Sequence, residues 1–313
     1  MSAIVITEFM DEAAIRDILG GFAVHHDASL ADKPEQLSGL LKNARALIVR
    51  NRTQVNADLL AVAPKLECVG RLGVGLDNID MNACKARSIA VYPATGANEV
   101  SVAEYVVGAI MVLMRGAFYA TPDVIAGAWP RNAIAGRDIM GKRLGLIGYG
   151  NNARETATRA LALGMTVSAC DPHVSADHPA WTRVCGRVER ATLDDVVTKS
   201  DAMSIHVPLT PDTKNLVDAA TLARMKQGAI FVNAARGGIV DENALVAALR
   251  KGHLMGAALD VFVEEPLSAQ RGALFANCPN LILTPHIAGV TVESNIRTSR
   301  ITAENVRRHL MGA

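Results

Sequence analysis

The chain has 313 residues, enough for about two domains at roughly 150 residues each. Half of the residues are hydrophobic and 20% are charged, which excludes a disordered chain or a fibrous repeat. Thirty-two basic and 31 acidic side chains leave a net charge of +1, so the composition favours neither nucleic acid nor a membrane surface as a partner.

The N terminus and the cysteines predict a cytoplasmic protein. No basic region precedes the first apolar stretch, so we expect no signal peptide. The longest apolar run, Tyr105 to Met114, is far shorter than the ~20 residues of a membrane span. The five cysteines form no C-x-x-C pair and lie in or beside apolar runs, so we expect reduced, packed thiols.

Short apolar runs alternate with helical patterns through most of the chain. Uninterrupted apolar runs between turn residues are typical of strands that are buried on both faces of a parallel sheet. Their alternation with helices predicts doubly wound α/β units with right-handed crossovers. The predicted strands are Ala3–Thr7, Ala46–Val49, Leu66–Val69, Ile89–Tyr92, Arg143–Gly148, Thr166–Cys170, Ala202–Val207, Ala229–Asn233, Gly256–Val261 and Leu281–Leu283.

Two longer helices are predicted. The first runs from about Ser101 to Ala120, with Ser101 and Glu104 as an S-x-x-E capping box. It is apolar on nearly all sides, so we expect it to be buried between domains or subunits. The second, Thr291 to Leu310, is amphipathic, and we expect its four arginines to lie on a solvated face.

A glycine-rich loop predicts a dinucleotide site. The segment Gly148-Tyr-Gly-Asn-Asn-Ala153 fits G-x-G-x-x-G/A and lies between a predicted strand and a predicted helix. Gly148 permits a tight turn, and Gly150 lets the backbone approach a pyrophosphate at the helix N terminus. Asp171, about 20 residues further on, can accept hydrogen bonds from a ribose and would repel a 2′-phosphate. The loop therefore predicts NAD rather than NADP.

Three segments near the C terminus place polar groups just past predicted strands. They carry Arg236, then Asp260 with Glu265, and then His286. Ligands of open α/β sheets bind outside the carboxyl ends of the strands, where these residues are expected. Each segment alone also fits a surface arginine, an acidic loop or a buried histidine. Their matching places on successive units together indicate an active site.

These motifs resemble the D-isomer-specific 2-hydroxyacid dehydrogenases, the family of phosphoglycerate dehydrogenase, glyoxylate reductase and D-lactate dehydrogenase. The resemblance implies an α/β fold with a Rossmann-type doubly wound parallel sheet at 100–286, which binds NAD. A smaller flavodoxin-like α/β substrate domain is implied at 1–99 and 287–313, with two interdomain helices and a homodimer built on the Rossmann domain. The motifs that carry the resemblance are Gly70–Asp80, Ser101–Tyr105, the glycine-rich loop, His206–Pro211, Asn233–Asp241 and Thr284–Gly289.

The family pattern also implies catalytic roles. Arg236 would bind the substrate carboxylate and polarise the reacting carbonyl, His286 would be the acid/base, and Glu265 would hydrogen-bond it. The chemistry agrees, because reduction of a 2-oxo acid develops negative charge that an imidazolium can quench and a guanidinium can stabilise. A guanidinium also matches a planar carboxylate with two parallel hydrogen bonds. The neighbouring Glu264 is expected to face solvent.

Further contacts follow from the same resemblance. The N–H groups of Val74 and Gly75 would hold the substrate carboxylate, and no metal is expected. Asn151-Asn152 replaces a commoner Arg-Ile, which removes a charge near the phosphates, and Ala153 stands where many relatives have glycine. Asp260 and the Ala234 carbonyl would bind the nicotinamide amide. The implied cofactor contacts are Gly148, Gly150, Asn151, Asn152, Asp171, Val207, Ala234, Ala235, Arg236, Asp260, His286 and Gly289.

Substrate choice is predicted to depend on Arg50 and Arg52. Two arginines two apart on an extended strand end face the same way, which suits a small 2-hydroxy or 2-oxo acid with a second anionic group. The candidates are 3-sulfolactate and 3-phosphoglycerate.

Several alternatives to this substrate prediction remain. Arg50 and Arg52 could be surface residues, and the enzyme could be a glyoxylate/hydroxypyruvate reductase. The chain could also be an NAD-sensing protein of the C-terminal-binding-protein type, although it shows no basic patch. Because the sequence ends soon after the second long helix, we expect no C-terminal regulatory domain.

Overall fold

A computed structural model describes residues 3–312, which form two units. One unit runs to Asn98 and resumes at Val290, and the other is the continuous stretch Glu99–Gly289. The strands in chain order are β1 Ile4–Ile6, β2 Val24–His26, β3 Ala46–Val49, β4 Cys68–Arg71, β5 Ala90–Pro93, β6 Arg143–Ile147, β7 Thr166–Cys170, β8 Thr182–Arg183, β9 Gly186–Arg187, β10 Glu189–Arg190, β11 Ala202–Ile205, β12 Ala229–Asn233, β13 Leu254–Leu259 and β14 Leu281–Leu283. The α-helices are α1 Glu12–Leu19, α2 Pro34–Leu41, α3 Ala57–Ala61, α4 Met81–Ala86, α5 Glu99–Arg115, α6 Thr121–Ile125, α7 Asn151–Ala162, α8 Leu193–Lys199, α9 Ala219–Arg224, α10 Glu242–Arg250, α11 Ala269–Gly272 and α12 Val292–Leu310.

The first unit is a five-stranded parallel sheet with helices on both faces. Its strand order, β2-β1-β3-β4-β5, is the flavodoxin-like order. Successive strand residues point to opposite faces, so Val5 and Leu47 pack with α2 and α3, whereas Ile4 and Ile48 pack with α1 and α12. Both faces of the sheet are therefore buried, as the uninterrupted apolar runs predict.

The second unit is built on a seven-stranded parallel sheet. Its order, β10-β7-β6-β11-β12-β13-β14, is the Rossmann order with one further strand at the β14 edge. Leu146 and Val232 face α5 and α7, while Met203 and Phe231 face the core shared with α8, α9 and α10. The two sheets confirm the predicted fold class.

The predicted strands differ from the observed ones mainly at their ends. At Val207 and Val261, for example, an apolar residue continues past the last residue of the strand into the next turn. The sequence analysis did not predict β2, because this edge strand carries half-buried His25 and His26 in place of an apolar run. It also missed the two-residue strands β8, β9 and β10, which are too short to show a periodic pattern.

The first long helix begins earlier than predicted. It starts at Glu99, so Ser101 and Glu104 lie inside it and the predicted capping box is wrong. It ends at Arg115, and Gly116 follows with a φ of +62° in the left-handed region. The buried side of α5 packs against α7, β12 and β13. No single helix within residues 3–312 has the length and hydropathy to cross a membrane. Helix α5 and the segment Ala117–Ile125, which form a bent pair, together meet the criteria of length and composition alone.

The C-terminal helix α12 matches its prediction. Thr291 caps it and forms a capping box with Ser294. Three of its four predicted surface arginines are exposed, at 300, 307 and 308. Arg297 is half-buried and donates to the carbonyl of Ala97 at 2.9 Å, so it belongs to the packing of the first unit.

Candidate active site

Three neighbouring strands of the second unit carry the predicted catalytic side chains. Arg236, Glu265 and His286 follow β12, β13 and β14, which are adjacent in the sheet. Nδ1 of His286 lies 2.7 Å from Oε2 of Glu265. Arg236 is near enough for its charge to lower the pKa of Glu265. The sheet order therefore brings the three side chains to one edge, at the carboxyl ends of the strands.

Glu265 is an anionic partner for the imidazole. Partial burial raises its pKa, but hydrogen bonds from His286 and the Phe262 N–H, with the charges of His286 and Arg236, bring the pKa below its usual value. A carboxylate only accepts hydrogen bonds, so Nδ1 of His286 is the donor. Nε2 is then the ring atom that can exchange a proton with a ligand. The neighbouring Glu264 is exposed, as expected.

The buried carboxylate of Asp260 holds the loop that bears His286. Oδ1 accepts from the Thr284 hydroxyl at 2.6 Å and from the Ile287 N–H at 2.8 Å, and Oδ2 accepts from the Ala288 N–H at 2.8 Å. His286 has a φ of +53°, in the left-handed region that residues other than glycine rarely adopt. Asp260 is only 1% exposed. Its predicted contact with a nicotinamide amide stays a prediction.

The Arg236 loop is shaped by a buried amide and a close backbone approach. Asn233 accepts from the Ala235 N–H at 3.1 Å and donates to the Arg236 carbonyl at 2.9 Å. A Cβ at Gly237 would lie 1.8 Å from the carbonyl oxygen of Phe262, so only glycine fits there. This approach brings the loop after β12 against the loop after β13. The sequence motif contains Asn233 and Gly237, but their roles depend on contacts that only the fold shows.

The glycine-rich loop has the geometry that a dinucleotide phosphate needs. Gly148 has a φ of +88°, and a Cβ there would lie 2.6 Å from the carbonyl oxygen of His206. Gly150 is the N-cap of α7, and its Cβ position has no neighbouring atom within 4 Å. Among the described residues no side chain caps this helix, so its first N–H groups and its positive dipole end adjoin open space. The residues therefore fit the predicted NAD.

Asp171 ties the glycine-rich loop to the end of β7. Its oxygens accept from the N–H groups of Tyr149 at 2.7 Å and His173 at 2.8 Å. Each oxygen keeps a lone pair for a ribose hydroxyl. Tyr149 is fully buried, stacks on Trp181 with ring centroids 4.5 Å apart and donates to the Ala180 carbonyl. The sequence analysis did not predict this packing of Tyr149, because the middle residue of G-x-G has no assigned role in the motif.

The other predicted cofactor residues lie around the same sheet edge, and their contacts stay predictions. Val207 borders Gly148, with its Cγ1 2.8 Å from where a Cβ of that glycine would lie. Asn151 is exposed and donates to Glu99 at 3.4 Å, while Asn152 is half-buried. The remaining three, all half-buried, are Ala234, Ala235 and Gly289.

In the first unit, a buried carboxylate shapes the predicted specificity segment. Oε1 of Glu8 accepts from the N–H groups of Arg50 at 2.9 Å and Thr53 at 3.1 Å. Oε2 accepts from those of Asn51 at 3.1 Å and Arg52 at 3.0 Å. Burial raises the pKa of Glu8, but the four backbone hydrogen bonds outweigh it, so the pKa lies below its usual value. The segment is therefore folded around a negative charge.

This fold contradicts the geometric argument for two arginines on one face. The chain leaves β3 before Arg50 and curls around Glu8, so strand alternation does not apply. Arg50 is half-buried and donates to Oδ1 of Asn295 at 2.6 Å. Arg52 is exposed and pairs with Asp32. Of the two, Arg50 is the more enclosed cation, and substrate contact by Arg52 stays a prediction.

The last residue of β4, Arg71, is a cation that the sequence analysis did not single out. Arg71 pairs with Val49 in the sheet, so it lies at the same edge as Arg50. Its guanidinium packs over Gly73, where a Cβ would lie 1.7 Å from Nη1. Val74 is exposed and Gly75 half-buried, so their N–H groups stay a predicted carboxylate site. An arginine within a glycine-rich segment was the available signal for Arg71.

The sequence profile of the family "D-isomer specific 2-hydroxyacid dehydrogenase, NAD binding domain" matches residues 107–288. The chain belongs to this family. It is an NAD-dependent oxidoreductase that interconverts a 2-hydroxy acid and its 2-oxo acid, which confirms the predicted family, enzyme class and cofactor.

The chain is similar to two enzymes of this kind in sequence and to a third in structure. The (S)-sulfolactate dehydrogenase of Chromohalobacter salexigens is 54% identical over 310 residues, which are 99% of each chain. The D-3-phosphoglycerate dehydrogenase of Mycobacterium leprae is 40% identical over 283 residues, 90% of this chain and 52% of that protein. The crystal structure of D-lactate dehydrogenase from Aquifex aeolicus, complexed with NAD and lactic acid, has a TM-score of 0.85 at 27% identity, covering 99% of this chain and 96% of that one.

Replacing Glu8 with glutamine tests the account of the specificity segment. Glu8→Gln should lower the free energy of unfolding by about 1–3 kcal/mol at neutral pH, because two N–H groups lose their acceptor. The pKa of Glu8 is lowered in the folded state, so its stabilisation is complete above the unfolded-state pKa and is lost as the pH falls. The gap between wild type and variant, measured by urea unfolding, should therefore narrow in acid. Glu304→Gln, at an exposed site on α12, is the control; an equal effect there would refute the assignment.

Proposed function

We propose that the substrate carries a second anionic group and that 3-sulfolactate is the foremost candidate. The observation that carries this proposal is the 54% identity, over 99% of both chains, with a (S)-sulfolactate dehydrogenase. Two cationic side chains at one sheet edge, Arg50 and Arg71, support it. A sulfonate or phosphate is an anion that a guanidinium binds with charge-assisted hydrogen bonds.

The D specificity in the family's name and the (S) label of that relative describe the same arrangement at the reacting carbon. In lactate the carboxylate outranks the methyl group, so the D enantiomer is labelled R. In 3-sulfolactate the sulfonated carbon outranks the carboxylate, because sulfur outranks oxygen at the first point of difference. The D arrangement is therefore labelled S, and we expect the product of reduction to be (S)-3-sulfolactate.

Three other substrates compete with this proposal: 3-phosphoglycerate, glyoxylate and hydroxypyruvate. 3-Phosphoglycerate also carries a carboxylate and a second anionic group, but its phosphate differs in size and charge from the sulfonate of 3-sulfolactate. Glyoxylate and hydroxypyruvate have no second anion, so they would leave Arg50 without a role in binding. The alternative of a purely NAD-sensing protein does not hold, because the chain is an oxidoreductase of this family.

We assign Glu99–Gly289 as the NAD-binding unit and the remaining residues as the substrate-binding unit. Gly150 and the first turn of α7 would hold the pyrophosphate, and Asp171 would accept from the adenosine ribose. The Ala234 carbonyl would accept from the nicotinamide amide. When bound, NAD supplies the site that accepts or gives up a hydride.

The catalytic groups have separate roles in this proposal. Arg236 binds the substrate carboxylate and polarises the reacting carbonyl. His286 gives a proton from Nε2 to the carbonyl oxygen during reduction and takes it from the hydroxyl during oxidation. Glu265 accepts the Nδ1 hydrogen, so it fixes the ring and stabilises the positive charge that the ring carries in the acid form.

We further propose a cytoplasmic homodimer. The segment after α5 exposes large apolar side chains, with Ile125 at 81% and Trp129 at 78% exposure. A second copy of the chain would cover such a patch. Five free cysteines support a reducing compartment, although Cys185 is exposed on the turn after β8 rather than packed as the sequence analysis expected.

Asp171→Ala should weaken NAD binding and narrow the preference for NAD over NADP. The change removes both the ribose acceptor and the charge that repels a 2′-phosphate. The ratio of kcat/KM for the two cofactors, compared between wild type and variant, measures this effect. Asp212→Ala, at an exposed position of the same unit, should leave the ratio unchanged. An unaltered ratio in Asp171→Ala would remove Asp171 from the ribose site.

His286→Ala should lower kcat by about 10²–10⁴ and leave NADH affinity nearly unchanged. In the wild type, reduction should fade as the pH rises and the ring loses its proton, while oxidation should fade as the pH falls. His253→Ala, at the opposite end of β13, is the control for loss of an imidazole. Identical one-sided pH profiles in both directions would exclude His286 as the proton carrier.

Arg50→Ala should raise KM for 3-sulfopyruvate about tenfold to a hundredfold and leave KM for glyoxylate nearly unchanged. The reason is that a half-buried guanidinium gains roughly 1.5–3 kcal/mol from a charge-assisted hydrogen bond only when the second anion is present. Arg52→Ala is the matched comparison, because this exposed arginine pairs with Asp32. A selective loss in Arg52→Ala as large as that in Arg50→Ala would place both arginines at the anion. Equal losses for both substrates would refute the second-anion site.

A further inference from the structure

Tyr105 on α5 is connected to the His286 loop by a chain of short hydrogen bonds. Its phenolic oxygen lies 2.6 Å from Oγ1 of Thr284, and that oxygen lies 2.6 Å from Oδ1 of Asp260. The Asp260 carboxylate in turn accepts the two N–H groups that follow His286 in the chain. Three side chains from three segments therefore form one continuous path from a helix to the loop that bears the imidazole.

The number of hydrogens on each group determines which side chain is the donor in each of these hydrogen bonds. The Asp260 carboxylate only accepts, so Thr284 gives it the single hydrogen of its hydroxyl group. The Thr284 oxygen can then only accept from Tyr105, so the phenol must be protonated. Burial raises the pKa of Tyr105 to about 12, with a further contribution from the charge of Asp260, although the hydrogen bond to Thr284 opposes it. Tyr105 is thus a constant donor across the working pH range.

The His286 loop needs such support. Its backbone lies in a region that residues other than glycine rarely occupy, and such a conformation persists only when surrounding contacts maintain it. Helix α5 keeps Tyr105 in a fixed position, because the helix has 17 residues and packs against α7, β12 and β13. The same sheet edge carries Glu265, the partner of the imidazole.

We propose that Tyr105 is a positioning residue, which orients Thr284 and Asp260 and through them holds His286 in its reactive position. This inference rests on the proposed acid/base role of His286. A loosened loop would leave the proton donor in productive geometry for a smaller part of the time, so the chemical step would slow while binding would persist. Tyr105 itself need not contact substrate or cofactor.

The test is single-turnover oxidation of NADH by a 2-oxo acid, with enzyme in excess, because it separates the rate constant from the amplitude. Tyr105→Phe removes only the hydroxyl, and it should lower the rate constant about three- to tenfold, the worth of one neutral hydrogen bond. The amplitude, the NADH affinity and KM should stay near their wild-type values. The matched control is Tyr92→Phe, which removes a phenolic hydroxyl that pairs with His309 at 3.0 Å in the first unit.

Two further variants test whether Tyr105 and Thr284 act through the same hydrogen-bonded path. Thr284→Val should lower the rate constant about tenfold or more, and Thr284→Ser, which keeps the hydroxyl, should recover most of that loss. Adding Tyr105→Phe to Thr284→Val should cause little further change, because the shared partner is already gone.

Each outcome decides the inference. A fall in amplitude with an unchanged rate constant would mean that Tyr105 only stabilises the fold, and it would overturn the proposal. Full additivity of the two substitutions, or an equal effect of Tyr92→Phe, would overturn it as well. Loss of transfer in His286→Ala with a normal rate in Tyr105→Phe would refute this inference alone. A normal rate in His286→Ala would refute the acid/base assignment and this inference with it.

Discussion

Carboxylates at the strand ends accept the backbone N–H groups of the neighbouring loops, and the conformations of the Arg50 segment, the glycine-rich loop and the His286 loop depend on this contact. Glu8 accepts four such groups, whereas Asp171 and Asp260 accept two each. Burial of a charge is costly, and several N–H donors compensate for the lost hydration. Each loop is therefore held in one conformation by an anion beneath it.

This arrangement also determines which charges remain available to a ligand. Backbone groups satisfy the buried anion, so it needs no hydrogen bond from the cationic side chain of the same loop. At the Arg50 segment the anion is Glu8, and at the His286 loop it is Asp260. Each of these loops therefore combines a fixed buried anion with a cation or a proton donor, and such a donor can bind an acidic substrate. Because the donors are already oriented, little reorganisation is needed when charge develops on the substrate.

Features that depend on local sequence were predictable, and features that depend on distant contacts were not. The glycine-rich loop and the Arg236, Glu265 and His286 motifs each lie within a short segment, so their positions at strand ends follow from the order of the elements. The contact of Glu8 with Arg50 spans 42 positions, and that of Tyr105 with Thr284 spans 179. No periodicity or motif reports such a pair. The strand argument for Arg52 failed for the same reason, because Glu8 bends the chain away from the extended path.

Deuterium transfer tests the account most directly. The enzyme is incubated with 3-sulfopyruvate and NADH deuterated in the transferable position at C4 of the nicotinamide, and the product is analysed by mass spectrometry and chiral chromatography. We predict (S)-3-sulfolactate with one deuterium at C2, formed by direct transfer to the carbonyl carbon. Formation of the opposite enantiomer, a product without deuterium at C2, or no turnover of 3-sulfopyruvate where glyoxylate reacts would contradict the account.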